Sequence, residues 1–124
     1  MNAELSREQI RELQSLLTSK QERLLQDIAQ ALADSDNEHY ADMAGRVHDT
    51  GDQSVADLLS DINLITINHL VKETRVIDAA MQRIKNGSYG VCINCQKSIA
   101  FNRLKAEPAA SRCITCQQSQ EDTI

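Results

Sequence analysis

Two Cys-x2-Cys pairs, Cys92/Cys95 and Cys113/Cys116, stand seventeen residues apart near the end of a chain of 124 residues. No other feature constrains the fold as much. Each pair lets both sulfurs of a tight knuckle reach one tetrahedral ion at about 2.3 Å, and the loop between them brings the second knuckle round to close the shell. Gly90, two residues before Cys92, suits the close backbone approach of a first knuckle. Four thiolates leave no open coordination position, so the pattern predicts one structural Zn2+ and not a Lewis acid. A redox Cys-x-x-Cys opens a helix after a strand in a βαβ unit, and the sequence holds no such unit. Disulfides belong to oxidising compartments. Here the amino terminus has no basic stretch followed by an apolar one, and no apolar run approaches the roughly 18–20 residues that span a bilayer. The chain is therefore expected in the cytoplasm, with no membrane partner.

The rest of the chain reads as helix. Aromatic residues are only Tyr40, Tyr89 and Phe101, so any core is aliphatic, and four Gly with a single Pro, Pro108, supply too few turns for a β-sandwich. From Leu5 to about Leu32 the residues Ile10, Leu13, Leu17, Leu24, Ile28 and Leu32 recur at spacings of three, four and seven. That is the pattern of a long amphipathic helix. A second such helix is expected from about Ser54 to Lys85, carrying Val55, Leu58, Ile62, Ile65, Val76, Ile77, Ala80 and Ile84, with Asn86-Gly87 as its stop. At about 1.5 Å per residue each helix is on the order of 40 Å long, natural for two antiparallel helices zipped along apolar stripes. His69 and Lys72 interrupt the second stripe, and His69 reads as a tolerated helix-face residue. The fold expected is mainly α, a long antiparallel coiled-coil hairpin with a C-terminal C4 zinc finger. Residues 1–86 would form the hairpin with its acidic tip at about 34–53, residues 87–116 the finger, and residues 117–124 a C-terminal tail.

Charge is unevenly placed. Between Asp34 and Asp61 eight acids face Arg46 alone, a net of −7, so the whole chain's −5 arises there. Such an end attracts a basic or metal-bearing surface over about a Debye length, although Asp and Ser also serve there as caps and turn formers. Residues 87–116 carry Lys97, Arg103, Lys105 and Arg112 against Glu107, and four thiolates with one zinc ion remove most of that excess. Direct nucleic-acid binding is not expected, because it needs clustered cations. Enzyme patterns are absent as well: no nucleophile triad, no glycine-rich phosphate loop, and no metal-ligand spacing among His39, His48 and His69.

The run Ile84-Lys85-Asn86-Gly87-Ser88-Tyr89-Gly90-Val91-Cys92-Ile93-Asn94-Cys95, then Ile99, Arg103-Leu104, Ala106, Pro108, Ala110 and Cys113-x2-Cys116, closely resembles the finger of the DksA/TraR family of bacterial transcription regulators. Asp49-Thr50-Gly51-Asp52-Gln53-Ser54 resembles the same family's hairpin tip. The resemblance implies a hairpin that enters the secondary channel of RNA polymerase and modulates initiation without touching DNA. Asp49 and Asp52 would be the tip effectors, with Ser54 where the family's pattern has Ala. Where housekeeping members place basic residues for guanosine tetraphosphate this chain has Val76, Glu107 and Gln117, which implies a weak or lost response. Two other readings use the same residues: a zinc-stapled adaptor for a different protein, and a cleavage factor whose tip acids recruit magnesium.

Overall fold

The computed structural model describes residues 5–49, 58–59 and 65–122. Its elements are α1 (Arg7–Ala33), α2 (Glu38–Ala44), a 3-10 turn (Val47–Asp49), α3 (Ile65–Asn86), α4 (Phe101–Ala106) and α5 (Ile114–Asp122). The only strand-like feature among the described residues is a single antiparallel bridge between Val91 and Ser98. The fold is mainly α, as the apolar periodicity predicts. None of the described helices is long and apolar enough to cross a membrane.

α1 begins on a reciprocal cap. The Gln9 N–H donates to Ser6 Oγ at 3.1 Å and the Ser6 N–H donates to Gln9 Oε1 at 2.9 Å, so two otherwise orphaned amides are satisfied. α3 ends on Gly87, whose φ of 82° lies in the left-handed region. There the Ser88 N–H donates to the Arg83 carbonyl at 3.0 Å and the Gly87 N–H to that of Ile84 at 3.4 Å, the paired bonds of a Schellman stop.

The chain divides into two compact units. One comprises residues 19–78. In it Gln21 Nε2 donates to Asp78 Oδ1 at 2.9 Å, while Ile28 and Leu32 share a buried cluster with Val71 and Ile67. Positions rise along α1 as they fall along α3, so these stretches run antiparallel. The same cluster takes in Met43, Val47 and Leu59. Thr74 is its buried polar neighbour in α3, with its hydroxyl donating to the Val71 carbonyl at 2.7 Å.

Three expectations change here. The polar connection after Asp34 is folded, because α2 and the 3-10 turn carry Met43 and Val47 into the core. The second helix is not continuous from Ser54 to Lys85: Leu59 sits buried in a turn, and α3 is described from Ile65. Its buried stripe runs through Ile67, Val71, Thr74, Ile77 and Ala80, whereas Ile65 and Val76 are exposed. Val76 precedes Ile77, and neighbours about 100° apart on a helix cannot both face inward. His69 is indeed an exposed face residue, 3.5 Å from Glu73.

The other unit comprises residues 1–18 and 79–124. Leu13 and Leu17 of α1, Ala80 of α3, and Tyr89, Cys92, Ile99 and Leu104 are its buried apolar residues. Gly90 has a φ of 85°, and a Cβ there would stand 2.8 Å from Leu5 Cδ1, whereas one on Gly87 would meet open space. Gly87→Ala is expected to cost about 1–2 kcal/mol for the left-handed backbone alone. Gly90→Ala costs that and the displacement of Leu5. Thermal unfolding of the two variants separates the terms, and equal melting temperatures would mean that Leu5 moves aside freely.

Candidate metal centre

The first knuckle is a miniature hairpin. The Cys92 N–H donates to the Lys97 carbonyl at 2.8 Å, the Gln96 N–H to that of Cys92 at 3.0 Å and the Ile99 N–H to that of Gly90 at 2.7 Å. Gln96 closes the turn with a φ of 62°. The second knuckle opens α5, where the Gln117 N–H donates to the Cys113 carbonyl at 2.9 Å. α5 continues past Cys116 to Asp122, so residues read as a tail are largely helical.

The strap between α4 and Cys113 is tied down almost residue by residue. Tyr89 Oη donates to the Pro108 carbonyl at 2.7 Å and Arg83 Nη2 to that of Ala109 at 3.5 Å. The Ile93 N–H reaches the Ser111 carbonyl at 2.9 Å, and Arg103 Nε the Arg112 carbonyl, also at 2.9 Å. These tethers carry the second knuckle onto the first. Sequence reading names Tyr89, Arg103 and Pro108 within a motif but not Arg83, and none of them as an anchor, since nothing in their spacing says which carbonyl they meet.

The four sulfurs of Cys92, Cys95, Cys113 and Cys116 all lie within 4.8 Å of one another. Sulfurs at the corners of a tetrahedron, each 2.3 Å from a central ion, stand about 3.8 Å apart. Cys95 Sγ and Cys113 Sγ are separated by 3.8 Å, far beyond a disulfide bond of about 2.05 Å. All four cysteines are free thiols, Cys92 fully buried and the others half-buried. The donor set and its spacing therefore fit zinc.

Electrostatics point the same way. Burial pushes the Cys92 thiol up, but the backbone N–H groups of Cys95, Cys113 and Asn94 outweigh it and bring it down to about 6. The Cys116 backbone N–H lowers Cys113. Cys116 is pushed up to about 12, first by the Cys113 and Cys92 side chains it meets. A divalent ion held by the four sulfurs would balance their negative charge and displace the remaining protons.

Among the basic residues of the finger, Lys105 Nζ lies 3.9 Å from Glu12 and 5.6 Å from the Phe101 ring centre. Arg103 is turned into the finger, with the Glu107 carboxylate at 3.9 Å. Both are engaged within their own unit. Of the tip residues, Asp49 contributes its backbone to the 3-10 turn, and Asp52 and Ser54 lie outside the described residues.

Tyr89 is the finger's alkaline weak point. Burial raises its phenol to about 12, with Arg83 opposing, and the neutral hydroxyl is what donates to Pro108. A group whose folded value lies above its ordinary one of about 10 stabilises fully below that pH, and the contribution disappears as pH rises through about 12. Wild type is expected to lose thermal stability over that window more steeply than Tyr89→Phe. Parallel pH profiles of the melting temperature would contradict the assignment.

Residues 87–122 match the family described as the prokaryotic dksA/traR C4-type zinc finger. The RNA polymerase-binding transcription factor DksA of Caulobacter vibrioides is 29% identical over 110 residues, 87% of this chain and 72% of that protein. Its namesake from Haemophilus influenzae is 23% identical over 94% of this chain and 77% of its own length. The solution structure of DnaK suppressor protein from Agrobacterium tumefaciens C58 superposes with a TM-score of 0.58 at 25% identity, covering 89% of this chain and 92% of that one. These likenesses run well beyond the finger into both long helices, so the chain carries the DksA/TraR-type zinc finger and is similar to DksA over most of its length.

Proposed function

We propose that this protein is a bacterial transcription regulator that binds RNA polymerase through its secondary channel and modulates initiation, acting in the cytoplasm as a binding protein and not as an enzyme. The observation that carries this reading is the likeness, over 87% of the chain, to a factor named for binding RNA polymerase. The antiparallel pairing of α1 with α3 supports it, since two helices side by side are only about 20 Å across and suit a narrow pore. So does the net charge of −7 between Asp34 and Asp61. In this reading Asp49, Asp52 and Ser54 form the effector tip, and DNA is not contacted. Cys92, Cys95, Cys113 and Cys116 hold one zinc ion whose role is structural. The response to guanosine tetraphosphate is weak or lost, because Val76 and Gln117 offer a polyphosphate no cation and Glu107 repels it.

Equilibrium binding of the zinc-loaded protein to bacterial core RNA polymerase, challenged by a competitor known to occupy the secondary channel, tests the proposal. Displacement by the competitor is the expected result. Binding that the competitor leaves untouched would move the site elsewhere on the enzyme, and no binding would overturn the reading.

A further inference from the structure

Asn86 is the one asparagine of the chain that precedes a glycine. In such a pair the backbone nitrogen of the second residue can attack the side-chain amide carbon of the first, and glycine has no side chain to block the approach. Asn86, Gly87 and Ser88 are all exposed. The Gly87 N–H donates to the Ile84 carbonyl at 3.4 Å, the longest of the three bonds that close this turn, and a Cβ on Gly87 would meet nothing within 4 Å. The nucleophile is therefore weakly held and open to water.

The amide under attack is held more firmly. Asn86 Oδ1 accepts from Ser88 Oγ at 2.6 Å and from the Ser88 N–H at 3.1 Å, an N–H shared with the Arg83 carbonyl at 3.0 Å. A side-chain oxygen bonded to the N–H two residues on closes a ring that contains both the attacking nitrogen and the carbon it attacks. Connectivity keeps the two close. Two donors on one oxygen also polarise that carbonyl, and they are already in place for the negative charge that builds there as the nitrogen adds.

We propose that Asn86 is a site of spontaneous deamidation, assisted by Ser88, whose product loosens the stop that joins α3 to the finger. The Gly87 nitrogen gives up its proton to hydroxide and bonds to Asn86 Cγ, the Cγ–Nδ2 bond breaks, and ammonia leaves with a proton returned by water. Water then opens the succinimide at either carbonyl, leaving aspartate or isoaspartate at position 86. Nothing is oxidised or reduced. Both products place a carboxylate in the last turn of α3, where the helix dipole disfavours it. Isoaspartate also lengthens the main chain by one carbon, so the Ser88 and Tyr89 N–H groups lose the Arg83 carbonyl that they reach at 3.0 and 3.1 Å. Tyr89, whose hydroxyl ties down Pro108, loses its placement with them. The proposal stands apart from RNA polymerase binding, which none of its steps requires.

Full-length zinc-loaded protein is held in mildly alkaline buffer and mapped over time by peptide mass spectrometry, with isoaspartate scored by enzymatic carboxyl methylation. Asn86 should convert while Asn102, exposed in α4 and followed by Arg103, stays an amide. Ser88→Ala removes the hydroxyl donor at an exposed position and should slow conversion about 2–10-fold, the worth of one such hydrogen bond. In denaturant, where the turn is absent, wild type and Ser88→Ala should react at the same rate. Reacted protein, separated by ion exchange, should lose hydrogen-exchange protection at Ser88 and Tyr89.

Conversion at Asn86 no faster than at Asn102 would overturn the proposal. Equal rates in folded wild type and folded Ser88→Ala, or a slowing that persists in denaturant, would overturn the part given to Ser88 in the turn. Full protection in the reacted protein would overturn the loosening of the stop.

Discussion

Cys92→Ser is expected to abolish stoichiometric zinc binding and to unfold the finger while leaving the helical core of residues 19–78 in place. Cys92 is fully buried and the backbone N–H groups near it bring its thiol down to about 6, so a hydroxyl there loses a ligand in a setting that favours the thiolate. The finger has little else to hold it. Between Gly87 and Cys116 the large buried apolar residues are Tyr89, Ile99 and Leu104, and pairing is reduced to one isolated bridge. Structural zinc in peptides of this kind supplies about 10–16 kcal/mol, which no such core replaces. By contrast, residues 19–78 bury Ile28, Leu32, Met43, Val47, Leu59, Ile67 and Val71 in one cluster that contains no cysteine. Hydrogen exchange read by mass spectrometry, together with metal analysis, checks both halves of the expectation. Amides of residues 91–99 should lose protection, and those of the 19–33 stretch of α1 should keep it. A variant that retains both its metal and its protected finger would show that Cys92 is not a structural ligand.

Asp52→Asn is expected to eliminate the effect on transcription initiation while changing affinity for RNA polymerase by no more than about twofold. The substitution removes one of eight acids set against Arg46 between Asp34 and Asp61, so the long-range field of this stretch is nearly unchanged. What it removes is a local contact, and a hydrogen bond to a charged group is worth about 1.5–3 kcal/mol, or about 10–100-fold. Asp42→Asn is the matched control, because Asp42 is exposed on α2 and carries the same charge. In vitro initiation from a responsive promoter, measured beside equilibrium binding, separates contact from steering. Equal loss in both variants would make the tip a diffuse field. No loss in Asp52→Asn would remove Asp52 from the effector role.

Much of the molecule was legible because its determinants are local. The α1 stripe of Leu13, Leu17, Leu24, Ile28 and Leu32 is buried as its periodicity requires, since a helix repeats its own geometry whatever it packs against. Asn86-Gly87 marks the end of α3 because only a residue at ease with a positive φ completes that stop. The cysteine spacing announced a four-sulfur cluster because two residues between paired thiols leave a knuckle few other shapes. Less legible were Met43 and Val47, set in a segment rich in Asp, Asn and Ser and yet part of the core. Short helices carry too few residues to display a period. Ile65 and Val76 misled for the opposite reason: apolar character does not reveal which of two adjacent residues faces the partner helix.

Sequence by itself determined the class of fold, the identity of the four thiols and the concentration of acid between Asp34 and Asp61, all properties of residue type and spacing. Tertiary structure alone decided that Gln21 meets Asp78 and that Tyr89, Arg83 and Arg103 grip the Pro108, Ala109 and Arg112 carbonyls of the strap. Those contacts join residues 9 to 57 positions apart. A hydrogen bond of that kind depends on the direction in which two distant backbones approach, which no local pattern encodes.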